Sequence, residues 1–236
     1  MGSTWRAAAA AIVLSVGLAA CGGGGDDSST NEGSTSATDA EVVANVKSSN
    51  IDFLPSNRPA GTWRWSGTPA QQVQVYVPTP VGTTEQDYAA KVATAITVLN
   101  GKLTGLLVLE STNSIPTSGN YIRISYSTSY VPPGSTDYAS YCANVSTGPN
   151  LGNVILPDSQ NAIASSPVYI NLGNGNCNVT QDIVTHEFAH ALGLSRHFSG
   201  FGNDGSVSAM FDALATLYGN PQSTIASNLV VKRAIN

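Results

Sequence analysis

All three histidines of this 236-residue chain fall within one run of twelve positions, His186-Glu187-Phe188-Ala189-His190-Ala191-Leu192-Gly193-Leu194-Ser195-Arg196-His197. Apolar spacing predicts a helix from about Val179 through Leu192, with Asn178 or Thr180 able to cap its start and Gly193 placed to end it in a left-handed conformation. On a helix, positions i and i+4 share a face, so His186 and His190 can direct two imidazole nitrogens at a single Zn²⁺ at about 2.0–2.1 Å. Glycine tolerates positive φ, so the chain can turn sharply at Gly193 and bring His197 back as a third ligand. Glu187 then stands beside the metal, placed to take a proton from a water there rather than to bind the ion. Three histidines leave a fourth position open, as catalytic zinc requires. The alternative is an ordinary amphipathic helix whose histidines are satisfied by water or neighbours.

Around this segment the pattern is that of an α+β domain. Val73 to Val77 alternates with a period of two and predicts a strand that Pro78 and Pro80 terminate. Tyr88, Val92, Ala95, Ile96 and Leu99 recur at helical spacing, predicting a first helix from Thr84 to about Leu99, with Thr84, Glu85 and Asp87 suited to its start. Further strands are expected at Leu106–Leu109, Tyr121–Tyr126, Val154–Leu156 and Val168–Leu172, with an edge strand over Tyr138–Val145. A last helix is expected over Met210–Tyr218, closed by Gly219-Asn220-Pro221.

The N-terminal quarter reads differently. Arg6 precedes an apolar run from Ala7 to Leu18, too short to span a bilayer, and residues 1–20 read as a secretion signal. It ends in Leu18-Ala19-Ala20-Cys21, which resembles the lipobox of bacterial lipoproteins and implies cleavage before Cys21 and lipidation of that cysteine. An ordinary cleavage site with Cys21 incidental is the alternative. Gly22 follows the cysteine in place of the Asp that resembles an inner-membrane retention signal, so the expected location is the cell envelope, anchored to the outer membrane. Gly22 to about Asn50 is rich in Gly, Ser, Thr, Asp and Asn and reads as a flexible tether. The expected organisation is a signal over 1–20, a lipidated cysteine and linker over 21–60, and a folded domain over 61–236. Cys142 and Cys177 remain for that domain; in an oxidising compartment they are expected to pair, a closure worth about 2–4 kcal/mol, with two small buried thiols as the alternative. A net charge of −5, with 11% of residues charged, lacks the basic stripe that nucleic acid requires.

The histidine segment resembles the metzincin signature H-E-x-x-H-x-x-G-x-x-H, and Glu187 to Leu194 is similar to the matrixin branch of those zinc peptidases. In that family the third histidine falls three residues after the glycine; here Arg196 holds that place and His197 comes one later. A guanidinium keeps its proton and offers no lone pair, so His197 is taken as the third ligand, with Asp204 or Asp212 as carboxylate alternatives. No glutamate follows Glu187, which argues against a thermolysin-like site. Ser208-Ala209-Met210 is similar in position to the family's methionine turn, with Met210 as a plain core residue the other reading. Ala213 to Gly219 resembles the closing helix of matrixins.

The resemblance covers roughly residues 63–220 and is specific at 182–197. It implies a metzincin-like catalytic domain: a twisted mixed sheet with an active-site helix and a C-terminal helix. It further implies one catalytic Zn²⁺ and hydrolysis of protein or peptide substrates, an extended substrate pairing with an edge strand. The loop from Phe198 to Gly205 could hold Ca²⁺, though its Asn, Asp and Gly residues also build ordinary turns. The rival expectation is a non-catalytic binding lipoprotein that kept the fold, with Arg196 as a mark of a drifting site.

Overall fold

The structure, a computed structural model, describes residues 36–53, 60–67, 70–117, 121–163, 167–202 and 208–236. Its elements, in chain order, are α1 (Asp39–Ser49), β1 (Gln71–Tyr76), α2 (Gly82–Lys102), β2 (Leu107–Thr112), β3 (Tyr121–Tyr126), β4 (Ala143–Ser146), β5 (Val168–Leu172), α3 (Gln181–Ala191) and α4 (Ser208–Gly219). Short 3₁₀ turns occupy Ile51–Phe53, Ala139–Tyr141 and Ala226–Asn228. The architecture is α+β.

The five strands form one sheet in the order β2-β1-β3-β5-β4. The first four are parallel, and β4 runs antiparallel to β5 along one edge. Parallel neighbours need a crossover, and α2 supplies it between β1 and β2. Alternation in β1 and β2 buries Val73, Val75, Leu107 and Leu109. Centrally placed β3 and β5 bury Ile122, Ile124, Val168, Ile170 and Leu172, as strands covered on both faces do. Helix α2 lies against β2 and α3, burying Tyr88, Val92, Ala95, Ile96 and Leu99, the five residues its periodicity singles out. Helix α3 in turn packs on β4 and β5, which sets the histidine segment beside the antiparallel edge.

Two local expectations are corrected. Val154–Leu156 forms no strand; the neighbouring Pro157 makes only an isolated bridge to Ile163, consistent with a proline that has no ladder N–H to give. The edge strand begins at Ala143, because Ala139–Tyr141 closes into a 3₁₀ turn first.

The larger difference lies within the expected tether, whose described part is ordered helix from Asp39 to Ser49. Thr38 Oγ1 accepts from Glu41 N at 3.3 Å while the Glu41 carboxylate accepts from Thr38 N at 2.6 Å, a reciprocal capping box. Val42 and Val46 are fully buried, and α1 packs against α4. The domain therefore includes residues assigned to the linker. The signal, Cys21 and the tether up to residue 35 lie outside the described residues. No helix among the described residues is long and apolar enough to cross a membrane.

Candidate metal centre

Helix α3 starts at Thr180, whose Oγ1 accepts from Ile183 N at 3.3 Å. Val184, Phe188, Ala189 and Ala191 are fully buried in the core. With that face committed, His186 and His190, one turn apart, share another. The helix ends in a left-handed glycine motif: Gly193 has φ +108°, its N–H donates to His190 O at 3.0 Å, and Leu194 N donates to Ala189 O at 3.0 Å. The reversal carries the chain back so that His197 meets the helix.

The three imidazoles converge. Nε2 of His186 lies 2.9 Å from Nε2 of both His190 and His197, and the His190–His197 separation is 3.0 Å. Nδ1 of His190 donates to Leu194 O at 2.5 Å, fixing the tautomer in which Nε2 carries a lone pair. Burial, followed by the neighbouring histidines, pushes His186 down to about 2 and His190 down to about 3; burial also lowers His197. At neutral pH all three rings are thus uncharged Lewis bases. Three nitrogen donors turned toward one point repel unless a cation or shared protons lie between them, and this donor set is one that fits a divalent ion. The three residues form a group that could hold a metal ion.

Glu187 is 3% exposed, and burial pushes its carboxyl up to about 8. Its Oε2 has no hydrogen-bond partner among the described residues, so an ionised Glu187 would lack compensation unless a cation lay nearby. A cavity of about 480 Å³ opens onto His186 and Glu187. Asp137 and Ser140 lie on its wall, as does Asp182 in the first turn of α3. Cys142 and Cys177, bonded to each other with Cα atoms 5.7 Å apart, also line it. That disulfide ties the start of the edge strand to the loop leading into α3.

Other sequence candidates fall elsewhere. Asp212 does not complete the site: Oδ2 accepts from Arg233 Nη1 at 2.7 Å and Oδ1 from Ala234 N at 2.9 Å, so both oxygens latch the C-terminal tail onto α4. Asp204 lies outside the described residues, as does the 203–205 part of the loop considered for Ca²⁺. Met210 is fully buried within the first turn of α4, and its N–H donates to Gly200 O at 3.2 Å. Arg196 is no ligand; its guanidinium lies 5.6 Å from the Phe53 ring centroid.

One contributor was not read from the sequence. Phe201, set in a Gly-rich run that reads as a loop, is 2% exposed. Its ring centroid lies 4.7, 5.0 and 5.2 Å from those of His186, His190 and His197. An aromatic residue between two glycines in a polar loop is a weak signal, but it is the signal available. No protein-family model and no curated protein matches this sequence.

Proposed function

We propose that this chain is a zinc-dependent endopeptidase of the metzincin kind, matrixin-like, held at the bacterial cell envelope by a lipid on Cys21. The observation that carries the reading is the meeting of three neutral imidazoles, their Nε2 atoms within 3.0 Å of one another, beside a buried glutamate whose Oε2 has no hydrogen-bond partner among the described residues. His186, His190 and His197 would hold the ion. When bound, zinc supplies Lewis acidity toward a peptide carbonyl and lowers the pKa of water to about 7.

The remaining chemistry belongs to the protein's own groups. Glu187 takes a proton from the attacking water, the oxygen adds to the carbonyl carbon, the C–N bond breaks, and Glu187 passes the proton to the departing amine. Its carboxyl, raised to about 8 without a cation, comes down when positive charge is near and can then act as a base at neutral pH. An extended substrate would run along the outer edge of β4, the last strand of the sheet, where main-chain groups could accept a strand irrespective of sequence.

The test uses protein lacking residues 1–21 and a generic unfolded protein substrate. Cleavage that is lost with a chelator, restored by zinc and absent in E187Q supports the enzyme. One zinc per chain with no cleavage by the unsubstituted protein overturns it in favour of a binding lipoprotein that retains the metal.

A further inference from the structure

The end of α3 is held by donors drawn from distant parts of the chain. The Trp65 indole donates to Ala191 O at 2.9 Å, the Tyr218 hydroxyl to Leu192 O at 3.1 Å, and the Asn50 amide to Gly193 O at 2.7 Å. Carbonyls at a helix C-terminus have no partner within the helix, so when buried they are fixed by whatever meets them. Asn50 does more than cap. Its Nδ2 also donates to Trp63 O at 2.8 Å, its Oδ1 accepts from Trp63 N at 3.0 Å, and its backbone oxygen accepts from the Trp63 indole at 2.8 Å. Both amide protons and the amide oxygen are thereby engaged in a site from which water is excluded.

Its neighbours grip the same turn. Ser195 N donates to Ser49 O at 2.7 Å. Phe53, whose ring centroid is 6.4 Å from that of Trp63, carries the Arg196 guanidinium over its own ring, 5.6 Å from the centroid. Ser49, Asn50 and Phe53 therefore hold Ser195, Gly193 and Arg196 respectively, within the stretch between the second and third histidines.

We infer that Asn50 is a positioning residue for the metal centre: by pinning the Gly193 carbonyl to the Trp63 backbone, it fixes the turn from which His197 reaches the other two imidazoles. Arg196 belongs to the same clasp and holds the turn by lying on Phe53. The inference rests on the metal-centre reading above. Its consequence is that the ion's affinity is coupled to docking of a segment N-terminal to the sheet. Release of the clasp leaves His190 and His186 in place on the helix but makes metal binding order His197 itself.

The experiment compares the full chain with N50A, R196A and D212A, the last removing the tail latch on α4. Zinc dissociation constants are measured by chelator competition, and amide exchange is followed in metal-free protein. N50A is expected to raise the zinc dissociation constant at least tenfold and to speed exchange at Leu194 and Ser195. R196A should do the same to a smaller extent, and D212A should lower thermal stability without either effect. N50A with zinc affinity within threefold of the unsubstituted chain and a protected turn overturns the inference, whatever its thermal stability. Should N50A not fold, R196A decides: an unchanged zinc constant and unchanged exchange overturn the clasp. If the unsubstituted chain takes up no zinc, the metal reading fails separately, and exchange at the turn still decides whether Asn50 holds it.

Discussion

The two sides of the cleft are built by different means. On the metal side, the turn from His190 to His197 rests on buried bonds from its carbonyls to the side chains of Asn50 just past α1, Trp65, and Tyr218 of α4. On the opposite wall, the 3₁₀ turn Ala139–Tyr141 is hung from outside: the Asn174 amide donates to Tyr138 O at 2.8 Å and Tyr141 O at 2.9 Å, and Asp137 accepts from Ser140 N at 3.2 Å. Several of these groups are exposed, and the disulfide supplies the firm link. The arrangement of the three imidazoles is thus fixed by buried bonds, whereas the facing wall of the cavity depends on a covalent staple and on bonds that compete with water.

Perturbing the two sides should therefore give separable results. The largest effect belongs to E187Q: cleavage of a protein substrate is expected to fall about 10²–10⁴-fold with zinc content unchanged, measured by turnover alongside metal analysis. G193A strikes the metal side. A Cβ there would stand 3.1 Å from Trp63 O and 3.3 Å from Asn50 Nδ2, on a backbone at φ +108°. It should cost about 2–4 kcal/mol of stability and weaken zinc, read by thermal unfolding and chelator competition. On the wall side, C142S/C177S should cost about 2–4 kcal/mol and raise KM, yet leave the zinc dissociation constant within threefold. If zinc affinity fell with the disulfide, the proposed independence of the two sides would be broken.

A smaller effect sharpens the electrostatics of the metal-free protein. His186 and His190 titrate near 2 and 3 when folded against about 6.5 when unfolded. Their share of stability is therefore present above about 6.5 and is lost as pH falls, because the unfolded chain takes protons first. Glu187, at about 8 when folded and about 4.3 when unfolded, acts in the opposite sense. Its share is present below the unfolded value and is lost as pH rises toward 8. From pH 6.5 to 8 the metal-free chain should thus lose stability with a slope of up to about 1 kcal/mol per pH unit, and E187Q should flatten it, as followed by denaturant unfolding.

Much of the site was legible because it depends on local spacing. His186 and His190 at i and i+4, the Gly193 reversal and the five buried residues of α2 follow from helical period and glycine chemistry alone. The α+β class could also be read from the order of strands and helices. What could not be read depends on chain-distant contacts or on local signals that composition masks. Helix α1 places Val42 and Val46 in a stretch whose wider Gly, Ser, Thr, Asp and Asn content reads as a tether, although Thr38-x-x-Glu41 is a capping box that could have revealed it. Asn50 acts on a carbonyl 143 residues away, a pairing no local pattern encodes. Phe201 sits between glycines in a run whose composition suggests a loop, and only the tertiary fold turns its ring onto the imidazoles. Asp212, by contrast, looked available as a ligand until Arg233, from the tail, occupied it.

Convergence of three imidazoles on one ion is tested most directly by metal analysis of the purified chain beside H197A. One zinc per chain is expected in the former and, in H197A, at least a hundredfold weaker retention against a chelator. An H197A protein that held one zinc as tightly as the unsubstituted chain, or an unsubstituted chain that took up none, would contradict that convergence.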